Sequence, residues 1–186
     1  MTRWHRPGGT EAAIKAMNQA KDRAKQDLRT AVHNLLATTT GVEDEATISC
    51  EVQEMIAALA EFAVRGRTHV PRDGYRKEII YSPEPEAPTR LGQQLAQLAK
   101  GSARLEKRLQ VAPQDFRMAQ RAALDSIPAM RRSVLDTLRD GRTLSDVPGP
   151  KSTVHYAVED LQCQGLLDGE ELSKLSFDLL DRAWLK

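Results

Sequence analysis

Leucine, alanine, valine and isoleucine recur at three- and four-residue steps through this chain, and proline or glycine interrupts the pattern between one segment and the next. That spacing is the repeat of an α-helix with one apolar face. It predicts a mainly helical fold whose amphipathic helices pool their stripes into a core. The first helix is expected from about 11 to 37. Thr10 can cap it, Glu11 sits in its first turn, and Ala20, Ala24, Leu28, Ala31, Val32, Leu35 and Leu36 form its stripe. Lys21, Arg23, Lys25, Asp27 and Arg29 read as the opposite, solvated face, and Thr38-Thr39-Thr40-Gly41 as the stop. A second helix is expected from about 46 to 65, with Val52, Met55, Ile56, Leu59, Phe62 and Ala63 inward.

Composition fixes what can fill such a core. The chain has 186 residues, 40% of them apolar but only 4% aromatic, so small aliphatic side chains must do the packing. The net charge is +1, which gives no long-range attraction to nucleic acid. No run of 18 apolar residues is present, so no membrane partner is expected. Residues 1–9 read as a disordered leader without the apolar stretch of a signal peptide. Cys50 and Cys163 are far apart and imply no disulfide framework, which makes a cytoplasmic location the default.

Between 66 and 88 the pattern breaks. His69, Pro71, Asp73-Gly74, Pro83, Pro85 and Pro88 forbid a long helix, and Glu78-Ile79-Ile80-Tyr81 offers at most one short strand. A connection of this length is usually functional or mobile. A third helix is expected from Pro88-Thr89-Arg90 to about 107, with Leu91, Leu95, Leu98, Ala99 and Leu105 as its stripe. A fourth follows from about 114 to 126, with Phe116, Met118, Ala119, Ala122, Ala123 and Leu124 on its apolar side. Ser126-Ile127-Pro128 closes it and marks the expected boundary between a helical domain, 10–126, and a second domain, 127–186. Charge shifts there. Residues 1–125 hold 19 basic and 16 acidic side chains, net +3, and residues 126–186 hold 8 and 10, net −2.

The last third has a distinctive order. A helix over 129–139, carrying Met130, Val134, Leu135 and Leu138, precedes a turn at Asp140-Gly141-Arg142. Thr143–Val147 has room for one helical turn, and Pro148-Gly149-Pro150 makes a stiff corner. The next helix opens at Lys151-Ser152-Thr153, with Val154, Ala157, Val158 and Leu161 on one buried face. Gly165 stops it. Leu166-Leu167 and Leu172–Leu175 can pair across Asp168-Gly169, a strong hairpin signal. A final helix is expected over 176–185, with Leu179, Leu180 and Trp184.

The run from Pro150 to Leu167 in this order resembles the recognition helix and first wing strand of winged helix-turn-helix proteins. The resemblance covers about a third of the chain and implies contact with double-stranded DNA through Lys151, Ser152, Thr153, His155 and Tyr156, with Arg142 nearby. Arg131 and Arg132 are candidates to extend a basic patch. The departures are a first helix clipped to a few residues and an acidic wing at Asp168, Glu170 and Glu171, which repels phosphate. Winged helices also serve as protein-interaction modules.

A second resemblance covers roughly 46–126. Pro88–Ala99 and Val111-Ala112-Pro113-Gln114-Asp115-Phe116 are similar to the helical lid of AAA-plus ATPases of the minichromosome-maintenance and MoxR kind. It implies that Arg90 senses a nucleotide γ-phosphate, here in trans on a P-loop ATPase partner. The ATPase core itself is missing. Gly149-Pro150-Lys151-Ser152-Thr153 echoes the end of a phosphate loop, but Pro150 separates Gly from Lys, and no buried strand precedes it. The expectation is therefore a non-enzymatic DNA-binding accessory or regulatory module, the C-terminal part of a helicase-like ATPase, with a protein-docking module as the alternative. No catalytic residue, cofactor or metal site is expected. His5, His33, His69 and His155 are scattered, Cys50 and Cys163 read as small packing residues, and Glu43-Asp44-Glu45 as a solvated loop.

Overall fold

The computed structural model describes residues 9–39 and 46–183. Residues 1–8 of the expected leader, the glycine stop at Gly41, the acidic run at 43–45 and Trp184 lie outside them, while Gly9 of that leader is helical. The chain is mainly helical and divides into two compact units, Met1–Asp44 and Glu45–Lys186.

In the first unit a single helix, α1, spans Gly9–Thr39. Its stripe was expected to be buried, yet Ala20, Ala24, Leu28, Ala31, Val32 and Leu35 are all exposed. Local spacing creates an amphipathic helix but cannot supply the surface that covers it.

The second unit is built on α2, Cys50–Arg67. The Ser49 hydroxyl caps it by accepting the Val52 N–H at 3.3 Å, and Glu51 lies in its first turn. Met55, Ile56, Leu59, Phe62, Ala63 and Val64 are buried along it. Helices α3, Pro88–Leu105, and α4, Pro113–Asp125, pack together and against α2. Both begin with a proline at the first helical position, where no backbone donor is lost. Ala60, Ala99, Ala103, Ala119 and Ala123 let these backbones approach closely, which is how a chain poor in aromatics fills its centre. Leu98, Leu105 and Met118 were expected inside and are exposed, because each lies at the edge of its stripe.

One carboxylate is wholly enclosed in this bundle. Asp115 is 0% exposed. It accepts the Ala112 N–H at 2.8 Å and both Arg108 Nη1 and Nη2, at 2.6 and 2.8 Å. Burial alone raises its pKa, but Arg108, Ser102 and the Ala112 N–H outweigh that and hold it at about 2.

Helix α5, Ala129–Arg139, leads through a 3-10 turn at Leu144–Asp146 to α6, Lys151–Cys163. The strands β1, Leu167–Asp168, and β2, Glu171–Leu172, pair antiparallel, with Leu167 opposite Leu172. Gly169, with φ of 60°, makes their turn. Helix α7, Lys174–Arg182, is capped by Ser173 and returns onto α2. This order agrees with the helical bundle and small hairpin expected from the pattern. The turn at 126–128 lies within one core: Ile127 is buried, and a Cβ on Gly66 of α2 would lie 2.9 Å from its Cδ1. By compactness the chain divides near residue 44. Gly66→Ala is expected to cost about 1–3 kcal/mol in urea denaturation by overpacking this contact.

Candidate functional site

Helix α6 begins at a fixed corner. Gly149 has φ of 132°, a region that favours glycine, and a Cβ there would lie 2.8 Å from Met130 Cε. Pro150 then precedes the helix, and its carbonyl accepts the Thr153 and Val154 N–H groups at 2.9 and 3.1 Å. Val154, Ala157, Val158 and Leu161 are buried, as the spacing requires, and α6 packs on α5. That leaves Lys151, Ser152, Thr153 and His155 exposed together at the leading end. The Lys151 ammonium has no protein partner among the described residues. His155 Nε2 lies 3.4 Å from Glu159 Oε1 on the next turn.

Tyr156 is differently placed. The Arg72 guanidinium lies 4.8 Å from its ring centroid, and Arg72 Nη2 donates to its carbonyl at 3.1 Å. One ring face is thus already occupied. Arg142 is exposed but bonds Asp140 at 3.2 Å, and Arg139 bonds the same carboxylate at 3.1 Å. Those two guanidiniums, Arg139 first, hold the Asp140 carboxyl below its ordinary range.

The arginines proposed to widen the patch are structural. Arg131 is buried, and its Nη1 donates to the carbonyls of Gly66 and Thr68 at 3.1 and 2.6 Å. Arg132 pairs with Asp125 and Asp136.

Sequence reasoning missed the interaction that positions α6. Asp160 Oδ1 accepts Arg72 Nε and Nη2 at 3.2 and 2.6 Å, and its Oδ2 accepts Arg131 Nε and Nη2 at 3.2 and 2.7 Å. Two guanidinium forks therefore share one carboxylate, the geometry for which arginine is suited. Arg72 Nη1 further reaches Glu159 at 2.7 Å and the Lys77 carbonyl at 2.9 Å. Burial alone lowers the Arg72 pKa, but the bonds to Asp160 and Glu159 raise it above the ordinary value. The segment after α2 is consequently fastened along α6. Arg72 holds it near Tyr156, while Ser82 bonds the Cys163 carbonyl at 3.2 Å and Gln164 bonds the Pro83 carbonyl at 3.2 Å. Its only strand-like feature among the described residues is the Arg72–Ile79 bridge. No local signal in the sequence marks partners 88 residues apart.

Leu144, Val147, Lys151, His155, Glu159 and Glu170 help line a groove of about 540 Å³ beside α6. On the hairpin, Asp168, Glu170 and Glu171 are exposed, as is Lys174. Arg90 is exposed in the first turn of α3, distant in sequence from the α6 residues. Nearby, Ile56, Ala57, Pro88, Gly92 and Ala96 line an apolar groove of about 370 Å³ between α2 and α3. Cys50 is exposed at the start of α2 and does not pack, whereas Cys163 is half-buried and bonds Ser82. Among the described residues no cluster of His, Cys, Asp and Glu is arranged to hold a metal, and no helix is long and apolar enough to cross a membrane. Comparison with family models, with curated proteins and with solved structures returns no match.

Removing Asp160 leaves, among the described residues, the buried Arg131 guanidinium without a carboxylate partner and Arg72 with Glu159 alone. Asp160→Ala is expected to cost about 3–5 kcal/mol in urea denaturation. Glu159→Ala, at the half-exposed edge of the same cluster, should cost no more than about 1 kcal/mol.

Proposed function

We propose that this chain is a DNA-binding accessory or regulatory module of winged-helix type, in which the leading end of α6 approaches the phosphate backbone of a duplex. The observation that carries this reading is that Lys151, Ser152, Thr153 and His155 are all exposed at one helix start. Behind them Val154, Ala157, Val158 and Leu161 anchor the same helix in the core. A rigid helix presenting a cation, two hydroxyls and an imidazole suits phosphate and base-edge contact. The partial positive charge at a helix N-terminus favours an anion there.

The local electrostatics set the strength. The exposed Asp168, Glu170 and Glu171 of the hairpin oppose DNA, and Arg142 is already paired. Few phosphates are therefore neutralised, so the binding is weak and its salt dependence shallow. Tyr156 contributes less than its position in the helix suggests, because Arg72 covers its ring. A link to a helicase-like P-loop ATPase belongs to the same proposal. The alternative is docking on such an ATPase without DNA contact, with Arg90 acting in trans. It draws support from the apolar groove between α2 and α3.

Fluorescence anisotropy with a labelled duplex at about 50 mM salt tests the reading. Binding is expected, and Lys151→Glu should weaken it and lower the salt slope by about one or more. No binding at that salt, or equal binding by Lys151→Glu, overturns the α6 assignment and favours the docking alternative.

A further inference from the structure

A second exposed element stands next to α6. At the Asp73–Glu78 turn, the Asp73 N–H donates to the Glu78 carbonyl at 2.9 Å, and the Lys77 N–H donates to the Asp73 carbonyl at 3.1 Å. Asp73 is exposed, and its Oδ1 accepts the N–H groups of Arg76 and Tyr75 at 2.6 and 2.9 Å. Those bonds, Arg76 first, hold its carboxyl below the ordinary range. Lys77 adopts a left-handed conformation with φ of 62°. The turn is thus internally braced, and the Arg72 bond to the Lys77 carbonyl joins it to the guanidinium that also holds Tyr156.

This braced turn exposes what a free-standing protein would ordinarily bury. Tyr75 is 94% exposed, and Ile80 and Tyr81 are exposed just beyond it. An aromatic ring on a rigid support offers contact area with little ordering cost. Arg76 is exposed beside it, and its side chain has no partner among the described residues. The Lys77 ammonium rests on the Gly74 carbonyl at 2.9 Å, close to the same tip. An aromatic face flanked by cations, with the Asp73 Oδ1 engaged by the turn's own N–H groups, matches a nucleobase and its phosphate.

We propose that the Asp73–Glu78 turn is a second nucleic-acid contact, in which Tyr75 stacks on an unpaired base and Arg76 bonds a phosphate of the same strand. The preferred ligand is then a duplex carrying a single-stranded tail, with the duplex at α6 and the tail at the turn. This inference rests on the DNA-binding reading of α6.

Anisotropy with a blunt duplex and with the same duplex bearing an unpaired tail separates the two ideas. The tailed duplex should bind more tightly. Tyr75→Ala should weaken tailed binding roughly tenfold, as expected for one lost base stack, and leave blunt binding unchanged. Tyr75→Trp should retain the preference, and Lys151→Glu should weaken both ligands. Equal affinity of the unaltered protein for the two DNAs, or an undiminished preference in Tyr75→Ala, overturns the turn assignment and leaves the α6 reading standing. Failure to bind either DNA overturns both.

Discussion

The arrangement of the second unit depends on one carboxylate. Asp160 sits between Arg72 and Arg131, and each guanidinium also bonds backbone carbonyls elsewhere. Arg131 reaches the end of α2 through Gly66 and Thr68, and Arg72 reaches Lys77 and Tyr156. One cluster therefore ties α2, α5, α6 and the segment between α2 and α3. Such enclosed charges are expensive to remove from water, so they persist only because every fork is satisfied. What they supply is position: α6 has one buried face on α5 and one flank tied to the 72–83 segment, while its leading end is left uncovered.

Aliphatic packing does the rest. The helices meet through alanines and Gly66, and large side chains such as Phe62, Leu59 and Phe116 fill the remaining volume. Interiors of this density tolerate little added bulk. Asp115 is the exception inside the bundle. It joins α4 to the turn after α3 through Arg108, and its charge is sustained by bonds despite complete enclosure.

The elements that could be read from the sequence are those whose partners are near in the chain. The 154, 157, 158, 161 stripe fixed the buried face of α6, and Asp168-Gly169 fixed the hairpin, because both depend on spacing alone. The exposed cluster at 151–155 follows from the same helical phase. The stripe of α1 was equally clear, but the described residues of that stripe lie exposed, since amphipathicity does not name a partner. The packing of Ile127 beside Gly66, across the charge shift near 126, carries no local signal in the sequence. Arg131 and Arg132 looked like surface cations because their acceptors, Asp160 and the Gly66 and Thr68 carbonyls for one, Asp125 and Asp136 for the other, declare themselves only in three dimensions. The segment from 66 to 88 looked unattached for the same reason. Its fastening relies on pairs more than 80 residues apart.

Amide hydrogen exchange under native conditions reads that fastening directly. The Asp73 and Ile80 amides donate to carbonyls within the segment, at 2.9 and 3.0 Å. If Arg72 clamps the segment to Asp160, these amides are protected in the unaltered protein. In Arg72→Ala they should then exchange much faster while the buried amides of α2 stay protected. Equal protection at Asp73 and Ile80 with and without the Arg72 side chain would contradict the account.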